Sequence, residues 1–274
     1  MKEITVGTAR VPYEMLGAGR PLVLVHGAGA GARSWDRVKD AFAETGTVVL
    51  PNLSGSDAAR DDGADLTVEE LVEQLAAVVR DLGAGPVDVV GHSLGGVVVA
   101  AFAALHPDLV RTVVPVATFA GHGDEYLRNA LTVWRDLLGD ADTFARYSML
   151  LAFSRGHLRT IGRDAVEELA TAFRPTPGRR RQIELALRLD IRGLLPRIQA
   201  PAMVIGAAHD GFLPVANARE LAAGISGAVY EEVDTGHVVM AEQPREFVGL
   251  IQDFVARRGE CRGARVRWSA AAAG

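Results

Sequence analysis

The chain has 274 residues, 49% of them hydrophobic and 23% charged, with a formal net charge of −5. That length and apolar content suit one large α/β domain with room for an inserted subdomain. The mildly acidic balance argues against a broad nucleic-acid surface, and a single cysteine, Cys261, excludes an intramolecular disulfide and a cysteine-based zinc site.

The first residues, Met1 to Val6, lack the apolar core of a signal peptide, and no uncharged apolar stretch reaches membrane-spanning length. A cytoplasmic protein without membrane or nucleic-acid partners is the expectation. Residues 3–15 read as a β-hairpin, with Ile4 and Val6 alternating and a second strand from Val11 to Met15. Pro21 to Val25 is a short continuous apolar run, as in a strand covered on both faces, and it stops at His26-Gly27-Ala28-Gly29. A helix is expected from Ser34 to Phe42, and a second buried strand over Thr47 to Leu50, closed by Pro51.

Thr67 and Glu70 have the spacing of a capping box. Val68, Leu71, Val72, Leu75, Val78, Val79 and Leu82 follow at three- and four-residue intervals and form one apolar stripe. The run Val87 to Val90 then leads directly into Gly91-His92-Ser93-Leu94-Gly95, and a buried helix continues through Val97 to Leu105. Val113 to Val116 is the next strand, with Pro115 suggesting an irregular end. Ala202 to Ile205 and Val229 to Val233 are the last two, each followed by a helix with a proline, Pro214 or Pro244, at its start. This alternation predicts an α/β fold with a mainly parallel twisted sheet of about eight strands, flanked by helices.

Between Ala117 and Pro196 strand signals vanish. Leu127, Ala130, Leu131, Trp134, Leu137 and Leu138 have helical spacing, as do Val166, Leu169, Ala170 and Phe173, and Pro175 to Gly178 is read as a helix breaker. The expected organisation is therefore a core of residues 1–116 and 197–256, a helical cap of residues 117–196, and a disordered tail over 257–274, which holds five arginines.

G-x-S-x-G after a strand and before a helix is the nucleophile elbow. Its glycines let the chain pass close on either side of a serine held in a strained turn. A serine hydroxyl is a poor nucleophile at neutral pH and needs a base, and that base needs an orienting carboxylate. Asp210, in the loop Gly206 to Pro214, and His237, in Asp234-Thr235-Gly236-His237, both follow strands. The order Ser93, Asp210, His237 is that of the α/β-hydrolases.

On these four signals (His26 to Gly29, Gly91 to Gly95, the Asp210 loop and the Gly236-His237 turn) residues 20–256 resemble an α/β-hydrolase-fold protein with 117–196 as its variable cap. The resemblance implies that the backbone N–H groups of Ala28 and Leu94 form an oxyanion hole. Both lie just beyond strand ends, and Leu94 opens a helix whose dipole favours negative charge. One departure stands out. Where relatives often carry Asp-x-Arg-Gly-x-Gly, this chain has Asn52-Leu53-Ser54-Gly55-Ser56-Asp57, so the arginine is missing beside the oxyanion loop.

His26 reads as structural support for that loop, and His92 as either pocket lining or packing beneath the elbow. His209 and Asp234 are rivals to His237 and Asp210; His122 and His157 are cap residues. His92, Phe119, Trp134, Met149, Phe153 and Phe212 are candidate pocket residues. No metal-ligand spacing appears, and no cofactor or metal is expected.

The leading expectation is a serine hydrolase acting on an ester, lactone or thioester of a small to medium apolar acyl compound. The alternatives are an acyltransferase or cyclising thioesterase, C–C bond hydrolysis or lyase chemistry on the same scaffold, or a ligand-binding receptor. The substrate is a small molecule in each case, and the oligomeric state is left open.

Overall fold

A computed structural model describes residues 1–171 and 173–257. Most of the expected tail, and Cys261 within it, lies outside the described residues.

Strands β1 (Lys2–Val6) and β2 (Ala9–Gly17) form the expected hairpin, and β3 (Pro21–Val25) follows. The helix expected over 34–42 is not continuous. A 3-10 turn over Ala32–Trp35 precedes the five-residue helix α1 (Lys39–Ala43). Packing rather than helix propensity holds this segment: Trp35 stacks on Phe247 and Phe42 meets the same ring edge-on. Strand β4 (Thr47–Pro51) leads to α2 (Val68–Asp81), whose start carries the Thr67–Glu70 capping box in full. Strand β5 (Val87–His92) enters α3 (Leu94–Leu105), buried along almost its whole length, and β6 (Val110–Val116) follows.

Four helices come next: α4 (Glu125–Asp136), α5 (Ala141–Ala152), α6 (Arg155–Ala170, kinked at Gly162) and α7 (Pro177–Arg188). The Pro175 to Gly178 stretch does not simply break helices. Pro177 opens α7 behind a Thr176 cap, because proline's missing N–H costs nothing in a first turn. The sheet then resumes with β7 (Met203–Ala207), α8 (Val215–Gly224), β8 (Val229–Val233), α9 (Val239–Glu242) and α10 (Pro244–Ala256).

Among the described residues the eight strands form one sheet in the order β1-β2-β4-β3-β5-β6-β7-β8. β1–β2 and β2–β4 are antiparallel, and every other neighbouring pair is parallel. Pro115 does not end β6; it pairs with Gly91 inside the sheet. Val113 and Ala117 donate toward β7, to Pro201 and Ile205. Alternation puts Pro115's missing donor on that same side, where β6 and β7 pair sparsely. The consequence for the site is positional. The segments after β3, β5, β7 and β8 all leave the carboxyl edge of a parallel sheet, where ligands bind in open α/β folds.

Candidate active site

Ser93 sits between β5 and α3 with φ 57° and ψ −123°, a region that a residue with a Cβ rarely occupies. Its neighbours impose this. A Cβ on Gly91 would lie 2.1 Å from the Gly95 carbonyl oxygen, and one on Gly95 would lie 2.3 Å from that of Val25. The strained peptide is held by its hydrogen bonds. Ser93 N–H donates to Val116 (2.9 Å), while its carbonyl accepts from Thr118 Oγ1 (2.7 Å) and Gly96 N–H (2.8 Å).

The side chain of Asp210, in the loop after β7, is buried. One carboxylate oxygen accepts from His237 Nδ1 at 2.7 Å, and the other accepts the backbone N–H groups of Phe212 and Leu213, both at 2.8 Å. Because Nδ1–H donates to the carboxylate, a neutral His237 ring leaves Nε2 as its basic nitrogen. The rivals pair with each other elsewhere. His209 Nε2 meets Asp234 at 2.6 Å, with both side chains more than half exposed.

Ser93, Ala28, Leu94 and His237 border one cavity of about 630 Å³. Within the described residues, neither Ala28 N–H nor Leu94 N–H donates to a protein acceptor. Phe119, Trp134, Phe153 and Phe212 line this cavity, as does His92. Met149 does not. It is buried in the apolar core, because helical spacing identifies a buried face without saying whether a cavity or another helix lies against it. Trp134 is locked in place, stacked on Phe144 and donating from Nε1 to Ser148 Oγ at 2.8 Å.

His92 both lines the cavity and supports the site. Its Nε2–H donates to the His237 carbonyl at 2.9 Å. Desolvation, reinforced by the neighbouring His237, pushes His92 down to about 3. His26 ties two loops together: Leu53 N–H donates to its Nε2 at 3.1 Å, and its Nδ1–H donates to the Gly27 carbonyl at 2.8 Å. Burial likewise lowers His26. His122 bonds the Leu189 carbonyl, and His157 stacks on Phe153.

Among the wall residues that sequence reasoning missed, Arg179 stands out for its burial and hydrogen bonds. Arg179, on α7, is 6% exposed and borders the cavity. It lies over the Phe144 ring and donates from one terminal nitrogen to the Gly29 carbonyl at 2.9 Å and from the other to the Arg174 carbonyl. Its burial pulls the guanidinium below its ordinary value, with Asp57 opposing. In sequence it belongs to the run Arg179-Arg180-Arg181, which gives no sign that its first member turns inward.

A profile of the alpha/beta hydrolase fold matches residues 20–244. Pyrrolizixenacetamide deacetylase of Xenorhabdus hominickii is 36% identical over 93% of this chain and 98% of its own. A pimeloyl-[acyl-carrier protein] methyl ester esterase of Chromobacterium violaceum is 31% identical over 88% and 96%. The enol-lactonase of Burkholderia xenovorans superposes with a TM-score of 0.84 over 93% of this chain and all of its own, at 22% identity, which bears on the fold alone. With its sheet order, elbow and full-length relatives in agreement, the chain belongs to the alpha/beta hydrolase fold family.

Proposed function

We propose that this protein is a serine hydrolase that cleaves the ester, lactone, thioester or amide bond of a small to medium, mainly apolar acyl compound through an acyl-enzyme on Ser93. The observation that carries this reading is the buried Asp210–His237 contact, set at a cavity that Ser93, Ala28 and Leu94 also border. A deacetylase and a methyl ester esterase among the full-length relatives support acyl hydrolysis and add amides to the substrates in range.

In this mechanism His237 Nε2 takes the Ser93 proton as Oγ attacks the substrate carbonyl carbon. The carbonyl oxygen becomes an oxyanion between the N–H groups of Ala28 and Leu94. Each such donor is worth about 3 kcal/mol when its aim is fixed in advance. Collapse of the tetrahedral adduct breaks the bond to the leaving group, which takes the proton back from His237. Water then enters and bonds to the acyl carbon as His237 takes its proton; the second adduct collapses by breaking the bond to Ser93 Oγ, which takes that proton back from His237 as the acid leaves. Asp210 holds the ring so that Nε2 faces the reaction and stabilises the imidazolium that forms. The 117–196 helices act as a cap, and aromatic walls such as Phe119 and Phe153 keep bulk water from weakening the oxyanion hydrogen bonds.

The test is a fluorophosphonate probe together with 4-nitrophenyl esters of increasing chain length. Labelling at Ser93 and ester turnover are expected, with both lost in Ser93→Ala while its thermal unfolding stays cooperative. Retention of most turnover in Ser93→Ala would remove the acyl-enzyme and leave a general-base mechanism on His237.

A further inference from the structure

Gly29 stands at the turn of the oxyanion loop with φ 65°, and both its backbone polar groups are taken by the same helix of the insertion. Gln182 Oε1, on α7, accepts its N–H. The Arg179 guanidinium donates to its carbonyl. The fit is close: a Cβ on Gly29 would lie 2.3 Å from Arg179 Nε. Gln182 also donates from Nε2 to the Ser54 carbonyl at 2.7 Å. Ser54 is in turn held by Gln74, which accepts its N–H and donates to its hydroxyl, both at 2.9 Å. The site therefore sits within a continuous buried polar network running from α7 through the 52–57 loop to α2.

Farther along α7, Arg181 pairs with Asp61 through both terminal nitrogens, at 2.7 and 3.1 Å, and Arg188 donates to the Leu66 carbonyl at 2.6 Å. The helix is fastened along its length to the core. The catalytic loops are gripped elsewhere too. The last carbonyls of α5, which have no partner within their own helix, accept the N–H groups that follow the acid and the base: Leu151 from Gly211 at 3.2 Å and Ala152 from Val238 at 3.1 Å.

Resting on the acyl-enzyme reading above, we infer that Arg179 and Gln182 are positioning residues, contributed by the insertion, that fix the two peptides flanking Gly29 and so hold the loop on which the preceding Ala28 N–H is aimed at the oxyanion. With the peptides on both sides of Gly29 gripped, the residue after Ala28 has little freedom to rotate, and an oxyanion donor works only if its aim is set before the charge develops. The 52–57 loop lacks the arginine that relatives often carry. Here an arginine from α7 and a glutamine one helical turn later reach the oxyanion loop, and the glutamine also reaches Ser54.

The experiment compares Gln182→Leu and Arg179→Met with wild type. It uses kcat and KM for 4-nitrophenyl acetate, and the inhibition constant of an alkyl trifluoromethyl ketone, whose hemiketal oxygen occupies the oxyanion hole. The expected result is a kcat lowered roughly 10- to 100-fold, a ketone weakened by the same factor, and a KM changed less than about threefold. Gln182→Glu, which keeps the acceptor for Gly29 N–H, is expected to retain most of the wild-type kcat.

Near-ultraviolet circular dichroism establishes that each variant is folded. Gln182→Asn, which withdraws the same amide by one methylene, replaces an apolar variant that does not fold. A raised KM with kcat and ketone affinity unchanged would make these side chains substrate contacts and overturn the inference. Unchanged values throughout would make them packing residues and overturn it as well. Phosphonate labelling of wild type at Ser93 separates the two hypotheses: labelled wild type with unaffected variants sinks only the positioning role, whereas an unlabelled Ser93 sinks the acyl-enzyme reading.

Discussion

The rings of His92 and His237 stand 4.6 Å apart, centroid to centroid, tilted by 50°, and the Nε2–H of the first holds the backbone carbonyl of the second. Two imidazoles this close in a buried setting do not both carry a proton at low cost. His92 is the one held neutral, and it serves as a fixed donor under the proposed base.

The first prediction follows from that neutrality. His92 titrates near 3 in the fold and near 6.5 in the unfolded chain. Between those values the unfolded chain binds a proton that the native state refuses. His92's contribution to stability is therefore complete above pH 6.5 and drains away as pH falls toward 3, at up to about 1.4 kcal/mol per pH unit. Burial lowers His26 as well, so it acts in the same direction. Urea unfolding of His92→Gln at pH 7.5, 6 and 5 is expected to lose stability less steeply than wild type, by nearly one proton. Parallel slopes would mean that His92 takes up its proton in the folded protein.

A second prediction concerns the acid. Asp210→Asn is expected to lower kcat by roughly 10³- to 10⁴-fold, because the amide favours the imidazole tautomer that buries the basic nitrogen. Asp234→Asn breaks only an exposed contact with His209, and its kcat is expected to stay within about twofold of wild type. Steady-state kinetics on an activated ester decides between them, and a reversal of the two effects would move the acid to Asp234.

The elbow supplies a third. Ser93 is one of two non-glycine residues with positive φ among those described, the other being Ala117. Ser93→Gly relieves that strain but adds freedom to the unfolded chain. The two terms oppose, leaving a net gain on the order of 1 kcal/mol. Chemical denaturation is expected to show an inactive protein that is more stable than wild type. A loss of stability would show that the hydroxyl contributes more than the backbone strain costs.

The cavity wall provides a fourth. Phe153 closes the cavity from the end of α5, and its ring meets His157 and Phe173. Phe153→Ala is expected to raise kcat/KM for long acyl groups relative to acetate by about tenfold, since each methylene accommodated by an apolar pocket is worth roughly 1 kcal/mol or more. Trp134→Phe keeps a ring against Phe144 while shortening the wall and is expected to shift the preference in the same direction. An acyl-chain-length series on folded variants measures both, and an unchanged profile would place specificity elsewhere, such as the 52–64 loop.

Local rules carried the sheet and the candidate site residues into view before any coordinates. Short apolar runs marked β3 and β4 almost to the residue, since a strand buried on both faces leaves an unbroken apolar stretch. The glycines of the elbow announced a turn that only Gly91 and Gly95 accommodate. Strand-end placement singled out Asp210 and His237, because parallel strands deliver their following loops to one edge.

Where a signal depended on packing, sequence alone misled. The 34–42 segment is a 3-10 turn and a short helix rather than one helix, and its Trp35 and Phe42 rings pack on Phe247, a residue more than 200 positions away in the chain. Met149 has the spacing of a wall residue yet lies in the core, since periodicity reports a buried face and not what it is buried against. Pro115 is at home inside β6 only because the missing donor falls on the thinly paired side toward β7.

The sequence by itself determined that this chain is an α/β fold with a mainly parallel sheet and a serine elbow, an acid and a histidine at its carboxyl edge, because those features follow from periodicity, backbone sterics and chain order. Tertiary structure alone decided which of three successive arginines turns inward. Arg179 is drawn from a charged run by the Gly29 and Arg174 carbonyls and the Phe144 ring, partners supplied from across the fold as well as nearby in the chain. No local pattern encodes that choice, because it depends on how closely α7 docks against the oxyanion loop.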